Sequence, residues 1–197
     1  MILGLTGGYC SGKSSAASLL KAAGWVIVDV DALGHAALER STTAVAALLG
    51  RGALKVDGSP DRRAIGALVF ADAGLLASYE AIVHPAMNKL VAEAVAAAGD
   101  RVCVDAALLY RLPVAAACDA IIELRSPLLA RLRRGKARDG LGARAVLARI
   151  ARQKPLWAEG RAYVARVAVL RNCGSKERLD RKMLAIIRRM ESSLGLN

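Results

Sequence analysis

Aromatic residues are scarce in this chain, at 4% of its 197 positions, with a single phenylalanine. Proteins that grip single-stranded nucleic acid usually stack bases on aromatic side chains, so this scarcity argues against that class. The formal net charge is nevertheless +12, with arginine far outnumbering lysine, and such a charge attracts polyanions. Together these observations favour a small, highly phosphorylated ligand and no nucleic-acid partner.

Long hydrophobic runs are missing as well. No apolar stretch is long enough and free enough of charge to span a bilayer. The first residues, Met1 to Thr6, form a short apolar run without the basic leader of a signal peptide. We therefore expect a cytoplasmic protein that has no membrane partner.

Closely spaced cysteine pairs are also absent. None of the four cysteines belongs to a C-x-x-C motif, which argues against a zinc site or a redox motif. Reduced thiols, as are usual in the cytosol, are the simpler expectation. The four are Cys10, Cys103, Cys118 and Cys173.

The most informative segment that is present, Gly7 to Ser14, fits the G-x-x-x-x-G-K-[ST] pattern of phosphate-binding loops. Glycines let successive backbone N–H groups wrap a phosphate tail, and the helix that follows directs its positive end at the same phosphates. Lys13 would add charge near the outer phosphates of ATP, and the Ser14 hydroxyl would hold Mg²⁺. The predicted nucleotide contacts are Gly8, Tyr9, Cys10, Ser11, Gly12, Lys13, Ser14 and Ser15.

Short apolar runs alternate with helical patterns along the chain, which is typical of a parallel α/β sheet. Two of these runs end in carboxylates, at Asp29 and Asp105. We predict a three-layer α/β/α fold around a five-stranded parallel sheet. The predicted strands are residues 1–6, 25–29, 101–105, 120–124 and 167–170.

The class of phosphate-loop protein is narrowed by a missing motif. Guanine recognition normally needs an N/T-K-x-D segment, but Asn88-Lys89 is followed by Leu90-Val91. The chain is also short for a motor or a transporter ATPase, whereas a small-molecule kinase fits its size. Two alternatives stay open: a kinase of nucleosides, nucleotides or other small metabolites, and, less favoured, an ATPase associated with nucleic acid.

A kinase of this kind would be a single domain with three parts. Residues 62–98 are rich in alanine and predicted to be helical, with Pro85 starting a new helix, and the glycine-containing stretch 48–60 is predicted to be a loop. Residues 128–153 are basic and helical, with a break at Gly140-Leu141-Gly142. We expect a core (about residues 1–40, 100–127 and 154–197), a helical acceptor-binding lobe (about 41–99) and a lid (about 128–153).

A series of short motifs runs in order through nearly the whole chain. They are Thr6-Gly7-Gly8 with Ser11-Gly12-Lys13-Ser14-Ser15, Asp29-Val30-Asp31 with His35, Asp61-Arg62 with Leu68 and Phe70, His84-Pro85, Asp105 with Leu108-Leu109, Arg131 with Arg134, Arg138-Asp139, Arg149-Ile150 with Gln153, and Asn172-Cys173-Gly174-Ser175. In this order and spacing they resemble the dephospho-CoA kinase family.

The resemblance implies a P-loop kinase that uses ATP and Mg²⁺ to phosphorylate the ribose 3′-hydroxyl of dephospho-CoA. It implies that Lys13 and Arg138, with Arg134, stabilise phosphoryl charge, and that Asp31 accepts or orients the proton of the attacking hydroxyl. Helix capping is the alternative role for Asp29 and Asp31, and it would explain one of the two. The state of assembly is expected to be a monomer or a small homo-oligomer.

Further site residues follow from the resemblance, each with an ordinary structural alternative. Asp105 would help to organise Mg²⁺, or else be a turn or cap residue. Asn172 and Gly174 would lie against the adenine, or else form a simple turn. Dephospho-CoA would be contacted by Asp29, Asp31, His84 and Leu108.

The chain departs from the family pattern at several positions. Cys10 stands where glycine is usual, and Ala107 and Arg111 stand where proline and glutamate are usual. Arg166 and Val167 replace an Ala-Asp pair. The change at residue 111 puts local acceptor contacts in doubt, whereas Cys10 is not one of the signature glycines.

Overall fold

The computed structural model describes residues 1–153, 163 and 166–193, and within them two compact units. The first unit comprises residues 1–28 and 98–197, and the second comprises residues 29–97. Parts of the predicted core, at residues 154–162, 164–165 and 194–197, lie outside the described residues.

Five strands form a single sheet in the part of the chain that is described, in the order β2-β3-β1-β4-β5. Strand β1 is central and pairs in parallel with β3 and β4, and β5 extends the sheet in parallel from β4. The predicted α/β fold is therefore confirmed. The strands are β1 (Ile2–Gly7), β2 (Val26–Asp29), β3 (Val102–Asp105), β4 (Ala120–Arg125) and β5 (Val167–Arg171).

One face of the sheet is covered by two helices, α1 (Lys13–Ala22) and α9 (Lys176–Ser193). The strand residues that face them are fully buried and apolar, because alternate strand side chains point to one side of the sheet. This core includes Leu3, Leu5, Leu20, Ile122, Leu124, Leu170, Leu179, Met183 and Ile187.

Strand β4 carries a buried charged residue, Glu123, between apolar side chains. The Glu123 carboxylate accepts a hydrogen bond of 2.8 Å from the Tyr110 hydroxyl and also pairs with Arg125. Burial, followed by the bond to Glu123, raises the pKa of Tyr110 above its usual value. The Tyr110 ring also stacks on Tyr163 at a centroid distance of 5.9 Å. Tyr110 therefore stays protonated and donates to a carboxylate that is 4% exposed.

We expect Glu123→Ala to lower the free energy of unfolding by about 3 kcal/mol, because it leaves a buried hydroxyl without its acceptor. Tyr110→Phe is the matched control and should cost about 1 kcal/mol. Urea denaturation of both variants and of the double variant measures their coupling. Additive losses would show that the hydrogen bond does not contribute to stability.

The second unit is made of helices around a core of its own. The stretch Thr42–Leu49 is helical and overlaps the predicted loop 48–60, which contains a short 3₁₀ turn at Arg51–Ala53. The unit begins at Asp29, whereas the sequence predicts that this lobe starts at about residue 41. The earlier start arises because the helix Val30–Arg40 packs on the helix Ala73–Ala97. Its helices are α2 (Val30–Arg40), α3 (Thr42–Leu49), α4 (Arg62–Val69) and α5 (Ala73–Ala97).

The predicted helix start at Pro85 is wrong, since Pro85 lies inside α5, a continuous helix of 25 residues. The break lies earlier, at Asp72, whose carboxylate accepts from the N–H groups of Gly74 at 2.7 Å and Leu75 at 3.0 Å. A proline inside a helix leaves the carbonyl four residues before it without its usual donor. Here that residue, Ala81, is exposed, so water can donate a hydrogen bond to its carbonyl.

The basic stretch forms two helices, α7 (Leu128–Asp139) and α8 (Ala143–Gln153), with Gly140 in the left-handed region at φ 65°. This confirms the predicted break. The short helix α6 (Val114–Ala117) and a 3₁₀ turn at Leu109–Arg111 precede β4. Among the described residues, no helix combines the length and apolar character that are needed to cross a membrane.

Candidate active site

The loop after β1 turns tightly and leads directly into the start of α1. The Ser11 N–H donates to the Gly8 carbonyl at 2.9 Å, and Gly12 caps α1 with φ 102°, so that the helix begins at Lys13. Helix starts expose unpaired N–H groups and a positive dipole end, which suit a phosphate. The Ser11 hydroxyl is buried and has no hydrogen-bond partner among the described residues, as expected of a group that awaits a ligand.

The signature glycines Gly7 and Gly12 are both required by contact, and Gly12 is also required by its positive φ. A Cβ atom at Gly7 would lie 2.5 Å from Ser11 Oγ and 3.0 Å from the Leu124 carbonyl oxygen. At Gly12 it would collide with the side-chain amide of Asn172. Any side chain at either position would therefore displace the loop.

We expect Gly12→Ala to weaken ATP binding by at least about tenfold, because the loop amides move away from the phosphates. Gly99→Ala is a matched control, since Gly99 also has positive φ, at 75°, but no atom within 4 Å of the added Cβ. Both variants should lose about 1–2 kcal/mol of stability from the backbone alone. Calorimetric ATP titration and urea denaturation separate the two effects, and equal ATP affinities would contradict the contact argument.

Lys13 and Asp105 form an ion pair at the carboxyl end of the sheet. Their Nζ and Oδ1 atoms lie 2.5 Å apart, and the side chains are only 17% and 11% exposed. Asp105 is held at this edge because its strand pairs with β1, residue 105 opposite Leu5. The ion pair fixes the Lys13 ammonium beside the loop. The Asp105 carboxylate therefore contacts the residue that directly precedes Ser14.

The donor set at this point suits a magnesium ion that is shared with phosphates. No cluster of three or more histidine, cysteine or acidic residues occurs in the described part of the chain. Mg²⁺ is usually held by one or two protein oxygen ligands together with substrate phosphates and water. The exposed Ser14 hydroxyl and the Asp105 carboxylate meet that requirement.

Asn172 supports the phosphate loop directly. Its side-chain amide donates to the Ser11 carbonyl at 2.8 Å, its own N–H donates to the Arg125 carbonyl, and it is 5% exposed. The simple-turn alternative therefore understates its structural role. The predicted adenine contact of Asn172 stays a prediction, as does that of the exposed Gly174.

Ser126 and Arg134 complete this support. The Ser126 hydroxyl donates to the Asn172 carbonyl at 2.5 Å, and Arg134 Nη1 donates to Ser126 Oγ at 2.8 Å and to the Cys10 carbonyl at 3.2 Å. Sequence reasoning missed Ser126, although its position directly after β4 was an available signal. Arg134, which the sequence assigned to ATP, is occupied here with loop carbonyls.

Cys10 adopts a conformation that explains why glycine is usual at this position. Its φ is +57°, and it is the one non-glycine residue with positive φ in the described chain. Left-handed backbone costs a residue with a side chain about 1–2 kcal/mol. The Cys10 side chain is 8% exposed, so its burial offsets part of that cost.

Tyr9 connects the loop to α7 and α8. The guanidinium carbons of Arg138 and Arg149 lie 5.1 Å and 5.2 Å from the centre of its ring, and its hydroxyl donates to the Asp139 carboxylate. That bond raises the pKa of Tyr9, while Arg138 and then Tyr9 hold the pKa of Asp139 well below its usual range. At neutral pH the phenol is therefore a donor and the carboxylate a charged acceptor.

Four residues are predicted to contact dephospho-CoA: Asp29, Asp31, His84 and Leu108. Asp29 caps α2, accepting from the Ala32 N–H at 3.1 Å, so capping accounts for one of the two aspartates. Asp31 follows in the first turn of α2 with an exposed side chain. His84 is exposed on α5, and Leu108, in the first unit, is 39% exposed.

Known proteins of one family are similar to this chain over most of its length. The sequence model of the dephospho-CoA kinase family matches residues 1–177. A dephospho-CoA kinase from Anaeromyxobacter dehalogenans is 41% identical over 79% of this chain and 77% of its own length. One from Geobacter sulfurreducens is 37% identical over 92% of this chain and 94% of its own.

A solved structure agrees as well. A crystal structure from Thermus thermophilus superposes with a TM-score of 0.82 at 35% identity, covering 96% of this chain and 97% of its own. The similarity extends well beyond the phosphate loop, over the motifs on which the resemblance rested. The chain belongs to the dephospho-CoA kinase family.

Proposed function

We propose that this kinase transfers the γ-phosphoryl group of ATP to the ribose 3′-hydroxyl of dephospho-CoA, which yields coenzyme A and ADP. The observation that carries the proposal is the match to the family over residues 1–177, of which the formed phosphate loop and its Lys13–Asp105 ion pair are part. We place the enzyme in the cytoplasm, as a monomer or small homo-oligomer without a nucleic-acid or membrane partner.

The donor half of the reaction uses groups of the first unit. The loop amides and Lys13 would bind the β- and γ-phosphates, and the developing charge on the transferring phosphoryl group would be met by Lys13 and Arg138. Ser14 and Asp105 would hold Mg²⁺, which supplies charge neutralisation at the phosphates. Asp105 would then exchange part of its contact with Lys13 for the ion.

The acceptor half depends on Asp31. One oxygen of Asp29 accepts from the Ala32 N–H as the cap of α2, and we assign Asp31 as the carboxylate that would accept or orient the proton of the ribose hydroxyl. His84 and Leu108 have exposed side chains and would contact dephospho-CoA. Phosphoryl transfer asks mainly for positioning and charge stabilisation, so one oriented carboxylate is sufficient.

A coupled assay of ADP release tests the proposal by comparing acceptors at equal concentration. The panel contains dephospho-CoA, nucleosides, nucleotides, gluconate and duplex and single-stranded DNA. We expect the turnover with dephospho-CoA to exceed that with every other acceptor by orders of magnitude. A preference for a nucleoside or a metabolite, or ATP hydrolysis that is stimulated by DNA, would overturn the proposed acceptor and leave the donor half standing.

A further inference from the structure

The side chain of Tyr9, in the phosphate loop, contacts the helices α7 and α8. The main chain of Tyr9 is tied to both helices that follow β4: its N–H donates to Gln153 Oε1 at 2.6 Å, and its carbonyl accepts from Arg131 Nε at 2.6 Å. These bonds place residue 9 without any contribution from its side chain. The ring and the hydroxyl must therefore serve a separate purpose.

The ring of Tyr9 is packed at a contact between α7 and α8. A Cβ atom at Gly135 would lie 2.7 Å from Val146 Cγ2 and 3.3 Å from Tyr9 Cε1, so the absent side chain at 135 lets the helices and the ring meet. Val146 is fully buried at this point. The ring thus has a fixed position against the helix pair.

Two arginines and their counterion converge on this ring. Arg138 and Arg149 lie close to the ring at cation–π distance, and both also contact Asp139, at 2.8 Å and 3.5 Å. The Tyr9 hydroxyl donates to the same carboxylate. The ring therefore contacts both guanidinium groups directly. The hydroxyl acts on them through Asp139 and also accepts from Arg149 Nη1 at 3.5 Å.

The group retains the charge needed to attract phosphate. Two arginines and one aspartate leave a net charge of about +1, and the arginine side chains are 56% and 53% exposed. A cation over an aromatic ring keeps its outer N–H groups free to donate, since the ring occupies only its face. An arginine that is held this way loses less conformational entropy when it binds a phosphoryl group.

We propose that Tyr9 is a positioning residue that holds Arg138 and Arg149 in place over the phosphate loop before ATP binds. The proposal rests on the proposed function, in which Arg138 stabilises the transferring phosphoryl group. Tyr9 itself acts through the arginines, and the loop amides and Lys13 bind ATP without it.

Two substitutions separate the parts of the side chain. Tyr9→Phe keeps the ring and removes the hydroxyl, and we expect kcat to fall about two- to threefold. Tyr9→Leu also removes the ring face while keeping apolar bulk and the main-chain bonds, and we expect kcat to fall about tenfold or more. The dissociation constant for ATP should change by less than about threefold in both, because the phosphate contacts remain.

A double-variant cycle distinguishes positioning from a structural role. In an Arg138→Ala background, Tyr9→Leu should reduce kcat much less than it does in the unchanged enzyme, because the main group that it positions is gone. Independent, multiplicative losses, or a loss confined to ATP affinity, would overturn the proposal.

A second measurement needs neither ATP nor an acceptor, so it stands even if the proposed acceptor is wrong. Trypsin cleavage is followed by mass spectrometry at Arg138 and Arg149, with Arg188 and Arg189 of α9 as internal controls. Tyr9→Leu should accelerate cleavage at the first pair about tenfold and leave the second pair unchanged. Equal acceleration at both pairs, or none at either, would show that Tyr9 does not order these arginines.

Discussion

Lys13→Ala is expected to lower phosphoryl-transfer turnover by roughly 10³-fold or more, since it removes the partly buried cation that meets charge on the outer phosphates. Its ammonium group is held beside the loop by Asp105 at 2.5 Å, with the side chain only 17% exposed. The cation therefore needs no rearrangement of a flexible surface side chain to reach bound phosphate. Retained near-normal turnover would contradict the role of the loop.

The same ion pair also contributes to stability, so activity and folding must be measured separately. Removal of one charge of a largely buried ion pair costs about 3 kcal/mol, because the attraction between the two charges is lost. The double variant Lys13→Ala/Asp105→Asn removes both charges, and we expect it to recover much of that stability while turnover stays lost. Urea denaturation and single-turnover kinetics on the three proteins resolve the two contributions.

Asp31→Asn should lower kcat by about 10²–10⁴-fold with little change in ATP affinity, as expected when a general base is lost. An amide is similar in shape to a carboxylate but cannot take the proton of the ribose hydroxyl. Asp31 does not cap α2, because Asp29 does, so the substitution should leave stability within about 0.5 kcal/mol.

Glu39→Gln supplies the matched control for Asp31→Asn. Glu39 lies on the same helix, is also exposed, and undergoes the same loss of one negative charge. Rapid-quench measurement of the chemical step should show wild-type rates for Glu39→Gln and a slow step for Asp31→Asn. Equal rates for the two variants would remove Asp31 from the mechanism.

Local signals predicted the fold well where the structure depends on short segments. Each strand is a mainly apolar segment of four to six residues, and the glycine pair after α7 ends that helix as expected. The order of the strands could not be deduced, because β1 pairs with β3 and β4 about a hundred residues further along the chain. Pro85 misled the prediction, since a solvent-facing proline interrupts one hydrogen bond without ending a helix.

The site shows the same division between local and long-range information. The phosphate loop was found because its glycines, lysine and serine are adjacent in sequence. The support that Asn172 and Arg134 give to this loop was not found, because these residues bond to loop carbonyls that are 161 and 124 positions away in sequence. The ring of Tyr9 and its arginines are likewise distant in sequence, and no pattern in the loop itself indicates them.

Contacts in the structure explain some of the departures from the family pattern. Cys10 takes the left-handed backbone that glycine would adopt freely, with its side chain buried. Arg166 donates to the carbonyls of Ala116 at 3.0 Å and Cys118 at 3.3 Å, and so ties β5 to the end of α6. Nothing in the structure explains the replacement of proline by Ala107, whose carbonyl accepts from the Thr6 hydroxyl.

Identification of the product tests the central proposal most directly. The enzyme is incubated with ATP and dephospho-CoA, and the product is examined by mass spectrometry and by ³¹P–¹H NMR. The proposal predicts one ADP for each acceptor consumed, a mass gain of one phosphoryl group, and phosphorus coupling to the proton on the ribose 3′ carbon. An unchanged acceptor, or a phosphoryl group at any other position, would contradict it.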